Sequence, residues 1–212
     1  MMQFWLPIFS IAAAISIGAM SPGPSFVMVL RISVATSRRA GLAAALGMGV
    51  GGMIFGALAL FGLQALIAQV GWLYLVLRIA GGIYLIYLAS RIWRGAATPI
   101  QVDATTSERR QYAGKAFLQG LATQLSNPKT AIVYGSIFAA LLPANPAPWT
   151  FAILLPLVFA IEAGWYTIVA LTFSSATPRA FYLRAKRFID RTASAVIGLL
   201  GVKLVYSAIS GR

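Results

Sequence analysis

The chain has 212 residues, of which 59% are hydrophobic and 10% are charged. A soluble domain carries about 25% charged residues, so this composition excludes a soluble globule and indicates a protein that is surrounded by lipid. Lys and Arg number 17 against four Asp and Glu, and neither Cys nor His occurs, which excludes disulfides, thiol nucleophiles and imidazole metal sites.

Six apolar runs are long enough to cross a bilayer, which requires about 20 apolar residues. We therefore predict an all-α polytopic membrane protein with six transmembrane helices in a single transmembrane domain, residues 1–212. In chain order the runs extend from about Phe4 to Leu30, Leu42 to Val70, Trp72 to Ile92, Ala116 to Leu142, Thr150 to Phe173 and Thr192 to Ile209.

The basic residues predict how these runs are oriented. Thirteen of the 17 lie after run one, between runs three and four, or between runs five and six, whereas the alternate connections hold none. Basic loops stay in the cytoplasm, so both termini are predicted to lie outside it. Because this rule accounts for the charge, the bilayer is an expected partner and nucleic acid is not.

The two halves of the chain show a weak internal similarity. Residues 82–89 in run three can be aligned with residues 201–208 in run six, with identical Gly, Leu, Tyr and Ala at four of eight positions, and runs one and four each contain a proline break. Chance similarity between apolar helices is the alternative. We predict two inverted three-helix repeats, about residues 1–92 and 116–210, joined by a cytoplasmic linker over residues 93–115.

The break in run one is formed by Pro22, Gly23 and Pro24, followed by Ser25. Two prolines cannot lie inside a continuous helix, and in lipid the freed backbone groups must be buried in protein or line a wet cavity. We expect a helix to restart near Ser25 with its free N–H groups directed into the break, where they would suit a carboxylate. A simple kink without a ligand is the alternative.

The break in run four carries more polar groups. Asn127 is a good N-cap and Pro128 suits the first position of a helix, so a helix is predicted to restart in the middle of an apolar run. Lys129 then lies near the bilayer midplane, where a charge costs about 2.5 to 3.5 kcal/mol and requires a partner. The only acidic residue that these runs contain is Glu162 in run five, and we expect the two to face each other. A structural ion pair is the alternative to a binding site.

Two further segments of the sequence carry structural predictions. The stretch from Arg179 to Arg191 mixes aromatic and basic residues and is predicted to lie along the inner headgroups. In run two, the pairs Gly47/Gly51 and Gly52/Gly56 are both G-x-x-x-G patterns, which allow close helix packing either inside the chain or in a homodimer.

With these motifs, the chain resembles the LysE family of amino-acid exporters, which includes the homoserine/threonine-resistance group. The resemblance covers nearly the whole chain. It rests on residues 21–24 in the first run, 38–47 at the start of the second, 81–88 in the third, Asn127-Pro128-Lys129 in the fourth and Asp190-Arg191 before the last.

The resemblance implies secondary-active export of amino acids across a bacterial inner membrane, driven by the proton gradient, with no enzyme activity, metal or cofactor. An excess of cations in the runs favours a substrate with a carboxylate, and neutral over basic amino acids. The threonine and homoserine type is what the resemblance implies, while branched-chain amino acids and lysine stay open. The substrate-binding residues would be Pro22, Gly23, Pro24, Ser25, Asn127, Pro128, Lys129 and Glu162, with Glu162 also carrying the coupling proton. A channel, an accessory membrane subunit and an exporter of another metabolite are the alternatives.

One position departs from the family pattern. Many members carry an aspartate about where Gly52 stands in this chain. If that aspartate binds the substrate amine or a proton, either Glu162 takes this role here or the coupling differs in this chain.

Overall fold

The computed structural model describes residues 2–21, 23–69, 71–97, 113–143, 146–172 and 176–210. Within these residues the chain is all-helical, as predicted, and forms eight α-helices. They are α1 (Met2–Met20), α2 (Pro24–Ala35), α3 (Arg38–Gln69), α4 (Gly71–Gly95), α5 (Ala113–Leu125), α6 (Pro128–Leu141), α7 (Pro148–Thr172) and α8 (Ala176–Ile209).

Several of these helices have the length and composition of membrane spans. Among the described residues, three continuous segments qualify: Arg38–Gly62 of α3, Pro148–Thr172 of α7 and Arg184–Ile209 of α8. A fourth is formed by the pair Trp5–Met20 and Pro24–Val34, which is bent by 57°. The protein is therefore a polytopic membrane protein, whereas the count of six spans and the repeat stay predictions.

Both predicted helix breaks are present. The chain leaves helical geometry between α1 and α2 and again between α5 and α6. Asn127 caps α6 by accepting a hydrogen bond from the Lys129 backbone N–H at 3.0 Å, and Pro128 occupies the first helical turn, as expected. The first break differs slightly from the prediction, since α2 already begins at Pro24 with Gly23 as its cap. Pro22 lies outside the described residues.

Glycines bring α3 into close contact with two other helices. A Cβ added at Gly47 would collide with the Phe117 backbone oxygen of α5, and one added at Gly120 of α5 would collide with the Ala44 oxygen of α3. On the other side of α3, a Cβ at Gly49 would lie 2.7 Å from the Ala163 Cβ of α7. The glycine-rich surface of α3 is thus used inside the chain.

Helices α4 and α8 cross at a reciprocal glycine contact. A Cβ at Gly82 would lie 2.8 Å from the Gly201 oxygen, and a Cβ at Gly201 would lie 2.7 Å from the Gly82 oxygen. These are the first residues of the two segments that align in the sequence. Near the end of α4, the Arg191 guanidinium lies 5.1 Å above the Trp93 ring.

The last span is longer and more polar than predicted. Helix α8 continues without a break through the stretch from Arg179 to Arg191 and buries Lys186 and Asp190. Asp190 therefore joins Glu162 as an acidic residue of a candidate span. The position of this stretch along the inner headgroups stays a prediction. The predicted linker is also shorter at both ends, since residues 93–95 belong to α4 and 113–115 to α5, and residues 98–112 lie outside the described part.

The apolar core consists of two clusters at different heights along the helices. On α7, Leu154 and Val158 belong to one cluster, whereas Tyr166 and Val169 belong to the other. The same division separates residues 8–15 of α1 from residues 26–32 of α2. Glu162 on α7 and the break after α1 fall between the clusters, so the fold places its polar groups in a layer between two apolar ones.

The α3–α5 contact generates a stability prediction. We expect Gly120→Ala to lower the free energy of unfolding by about 1 to 3 kcal/mol, because the added methyl group overpacks the contact with the Ala44 backbone. Gly114→Ala, in the same helix, is the matched control because nothing lies within 4 Å of its added Cβ. Thermal unfolding of the detergent-solubilised variants measures the difference. Equal melting temperatures for the two variants would contradict this account of the packing.

Candidate functional site

A small buried cavity lies where the two helix breaks meet. Its volume is about 30 Å³, and it brings together residues of α1, α2, α6 and α7 and both breaks. Polar groups from the two breaks occupy one side, and apolar side chains of α1 and α6 occupy another. The lining residues are Ile15, Gly18, Ala19, Ser21, Gly23, Ser25, Asn127, Lys129, Thr130, Val133, Tyr134, Glu162 and Tyr166.

Lys129 connects the second break to the first. Its ammonium donates hydrogen bonds of 3.2 Å to the backbone oxygens of Gly18 and Ser21, at the end of α1. A helix end carries partial negative charge on its unpaired carbonyls, so a cation is stabilising there. An ammonium has three donors. Within the described part of the chain, these contacts use two of the three donors.

A buried hydrogen-bond chain also joins the breaks. Ser25 at the start of α2 donates to Oε1 of Gln124 on α5 at 2.8 Å, and it accepts from Nδ2 of Asn127 at 3.0 Å. All three side chains are buried. The first turn of α6 is satisfied as well, because the N–H groups of Thr130 and Ala131 donate to the Asn127 oxygen. The start of α6 is therefore capped as predicted, and Lys129 provides its positive charge.

Glu162 is the acidic group of the cavity. Its Oε1 accepts a hydrogen bond of 2.6 Å from the Tyr134 hydroxyl of α6. Gln124 and Lys129 approach the same carboxyl group, yet Oε2 of Glu162 and Nε2 of Gln124 have no hydrogen-bond partner among the described residues. A buried polar atom without a partner costs about 1 to 3 kcal/mol. Glu162 thus retains an acceptor oxygen beside Tyr134 in the lining of the cavity.

Consecutive glycines of α3 provide the space for these two side chains. A Cβ at Gly51 would lie 2.7 Å from the Cβ of Gln124, and a Cβ at Gly52 would lie 2.8 Å from the Cγ of Glu162 and 3.3 Å from the Tyr134 hydroxyl. A side chain at position 52 would thus compete with Glu162 for one place. The resemblance leads one to expect an aspartate on α3 at this place. Because position 52 is a glycine here, the carboxyl group of Glu162 from α7 can occupy the space instead.

The structure brings together most, but not all, of the residues predicted from the sequence. Among the described side chains, Pro24 is exposed at the start of α2 and does not line the cavity. Pro22 lies outside the described residues, as does the side chain of Pro128. The predicted residues that line the cavity are Gly23, Ser25, Asn127, Lys129 and Glu162.

Lys129 and Glu162 share the cavity as expected, but they do not form an ion pair. Within the described chain, the hydrogen bonds of Lys129 go to Gly18 and Ser21, and that of Glu162 comes from Tyr134. The interpretation as a simple structural ion pair is therefore wrong. The two charges interact across the cavity and are not neutralised by direct contact.

Sequence reasoning missed the polar neighbours of the predicted residues. Helical spacing from Lys129 could have found Tyr134, since Thr130, Val133 and Tyr134 share one face of α6 and line the cavity. The four-residue spacing of Lys186 and Asp190 was a signal for their pairing on one helix. Nothing in the linear sequence pointed to Gln124, because its partner Ser25 is 99 residues away.

Comparisons with known proteins agree with this architecture. A family model described as LysE type translocator matches residues 16–208. The threonine efflux protein of Salmonella typhi is 34% identical over 204 residues, covering 94% of this chain and 97% of that protein. The threonine efflux protein of Escherichia coli (strain K12) is 32% identical over 204 residues, covering 95% and 99%. An uncharacterised membrane protein of the same strain is 31% identical over 192 residues, covering 91% and 86%.

No solved structure matches this chain. The family match extends over nine tenths of the sequence and includes both helix breaks, the cavity and α8. Its members are transporters and not enzymes. The chain belongs to the family of LysE type translocators.

Proposed function

We propose that the protein is a secondary-active carrier that exports small neutral amino acids, of the threonine and homoserine type, from the bacterial cytoplasm. The observation that carries the proposal is the placement of Lys129 and Glu162 in one buried cavity without direct pairing. The family match and the threonine efflux proteins at 32–34% identity support the same substrate class.

An amino-acid zwitterion is complementary to the two charges. Its carboxylate would accept the remaining donor of Lys129, with the Asn127 amide beside it, and its ammonium would donate to the unpaired Oε2 of Glu162. Charged hydrogen bonds of this kind contribute about 1.5 to 3 kcal/mol each.

The rest of the cavity favours an uncharged side chain. Ile15, Ala19 and Val133 provide apolar surface, and Thr130 provides a hydroxyl. A basic side chain would need a second carboxylate, and Glu162 is the acidic residue in the lining of the described cavity. We therefore favour small neutral amino acids over basic ones.

The size of the cavity implies movement during transport. A volume of about 30 Å³ has room for about one or two water molecules, which is too little for an amino acid. The site must therefore widen before it can hold an amino acid. Substrate binding requires the helices that meet at the breaks to separate, as alternating access demands.

We assign six spans to this carrier, formed by α1 with α2, α3, α4, α5 with α6, α7 and α8, with both termini outside the cytoplasm. The two halves would be inverted repeats, residues 1–92 and 116–210. The reciprocal contact of Gly82 and Gly201 supports this assignment, because equivalent residues of two repeats meet at their symmetry axis. The starts of α1 and α7 also lie together, since the rings of Trp5 and Trp149 are 6.1 Å apart. The six-span assignment requires this, because it puts the starts of both helices on the outer side.

Glu162 is the group that would couple transport to the proton gradient. Protonation from outside removes its negative charge, so the substrate ammonium loses its partner and leaves on that side. The titratable and polar groups that approach the carboxyl are Tyr134, Lys129 and Gln124. Acidification outside is therefore expected to accelerate export.

The coupling scheme is tested with Glu162→Gln in proteoliposomes preloaded with unlabelled L-threonine. We expect the wild-type protein to show saturable counterflow that an imposed pH gradient, acidic outside, accelerates. The variant keeps the shape of the side chain but cannot gain or lose a proton, so the acceleration should disappear and the KM should rise. Unchanged transport with unchanged pH dependence would rule out this role of Glu162.

The carboxylate-binding role predicts the effect of Lys129→Met. We expect the KM for counterflow to rise by at least about ten-fold, which corresponds to the loss of one charged hydrogen bond of about 1.4 kcal/mol or more. Lys203→Met, which removes an exposed cation from α8, is the control and should leave the KM unchanged. Elution as a single symmetric peak must be shown for both variants. Equal KM values for the two would remove Lys129 from the site.

The space beside Gly52 provides a more local test. In Gly52→Ala, the new methyl group would displace the Glu162 carboxyl from Tyr134, so we expect the KM to rise by about ten-fold or more through loss of this geometry. In Gly56→Ala, one turn further along α3, the new Cβ meets Leu155 and Val158 at ordinary distances of 3.5 to 3.8 Å. Counterflow kinetics of the two variants should differ. A normal KM in Gly52→Ala would show that the position of Glu162 is unimportant.

A further inference from the structure

A second buried polar network lies beside the cavity. Lys186 and Asp190, four residues apart on α8, form an ion pair of 2.7 Å, and their side chains are only 10% and 5% exposed. Lys186 also donates to the backbone oxygens of Gly95 at 2.9 Å and Ala96 at 3.4 Å, where α4 ends. The pair thus connects α8 to the end of α4.

Ser21 links this network to the cavity. Its hydroxyl donates to Oδ1 of Asp190 at 3.4 Å, and its backbone oxygen accepts from the Lys129 ammonium at 3.2 Å. A continuous series of polar contacts therefore runs from the end of α4 through Lys186, Asp190 and Ser21 to Lys129. It lies between the cavity and the end of the bundle where α4 finishes.

Stability alone is a poor explanation for an ion pair in this place. Burying two charges costs desolvation that their attraction barely offsets, and well-packed apolar residues are often at least as stable. An ion pair differs from an apolar contact because its partners can separate when water enters between them. Polar side chains at this level of α1 and α8 would then line an aqueous opening.

We propose that Asp190 and Lys186, joined to α1 through Ser21, form the closed gate between the cavity and the end of the bundle at which α4 finishes. This inference rests on the proposed function, which makes that end the cytoplasmic entrance of the carrier. When the gate opens, α8 moves away from α1 and α4, so the contact of Asp190 with Ser21 and those of Lys186 with Gly95 and Ala96 separate. Lys129 then becomes accessible from that side. Asp190 is therefore a positioning residue of the transport path, although it does not line the cavity.

The test uses the absence of cysteine from the natural chain. Thr130→Cys places one thiol in the cavity lining, and a membrane-impermeant methanethiosulfonate reagent measures its accessibility from each face of proteoliposomes. Ala97→Cys, beyond the end of α4, and Pro143→Cys, beyond the end of α6, are exposed and report which face is outside. No transport substrate is needed for this measurement.

We expect Asp190→Asn in the Thr130→Cys protein to raise the labelling rate from the α4 end by at least about five-fold, the lower end of typical couplings between interacting sites. Labelling from the opposite face should fall, because the open state at one end excludes the open state at the other. Ser21→Ala, which leaves the ion pair intact, should change both rates in the same directions. Lys203→Gln, an exposed position of the same helix, should change neither.

Unchanged labelling, or an equal rise from both faces, would overturn the gate and leave a purely structural ion pair. If Asp190→Asn does not give a single symmetric elution peak, Ser21→Ala decides the question by the same criterion. Failure of the proposed substrate is seen separately. Asymmetric labelling without counterflow of any amino acid would support the gate and reject the proposed substrate class. Counterflow of amino acids with unchanged labelling would support the substrate class and reject the gate.

Discussion

A helix that ends inside a bilayer leaves backbone carbonyl groups that no lipid can satisfy, and each costs several kcal/mol if it stays unpaired. In this protein the ammonium of Lys129 solves that problem by donating to Gly18 and Ser21 at the end of α1. The charge that is costly in lipid is therefore placed where partial negative charge already exists. The hydrogen bonds of Lys129 hold the second break against the first. The cavity lies where the two breaks meet.

The same contact limits what the site can do. Ser25, Gln124 and Asn127 satisfy one another, and the first turn of α6 is satisfied by its own cap. Unused hydrogen-bonding capacity therefore concentrates on the third donor of Lys129, on Oε2 of Glu162 and on Nε2 of Gln124. Of these three residues, Lys129 and Glu162 line the cavity, and Gln124 lies behind Ser25. On the proposed function, the opposite charges of Lys129 and Glu162 would bind the two charged groups of a zwitterion.

Close packing by glycine connects this site to the rest of the bundle. Gly51 and Gly52 of α3 leave room for Gln124 on α5 and Glu162 on α7, while Gly47 and Gly49 bring the same two helices close. Helix α3 thus determines how deep both side chains lie. Polar groups in a bilayer have defined positions only when their helices do, because no hydrophobic force holds helices together within lipid. Dense glycine packing therefore holds Gln124 and Glu162 at defined positions.

The sequence by itself determined the class of this protein: its helical and membrane character, the two helix breaks and the pair of charges that lies between them. These features follow from local chemistry, since apolar length, proline geometry and the cost of a buried charge act within a few residues. Tertiary structure alone decided that Lys129 caps α1 instead of pairing with Glu162, and that Asp190 of α8 meets Ser21, next to the end of α1. It also decided that Gln124 meets Ser25. The physical reason is that each of these contacts joins residues on different helices, and their distance depends on how the helices pack, which no local pattern encodes.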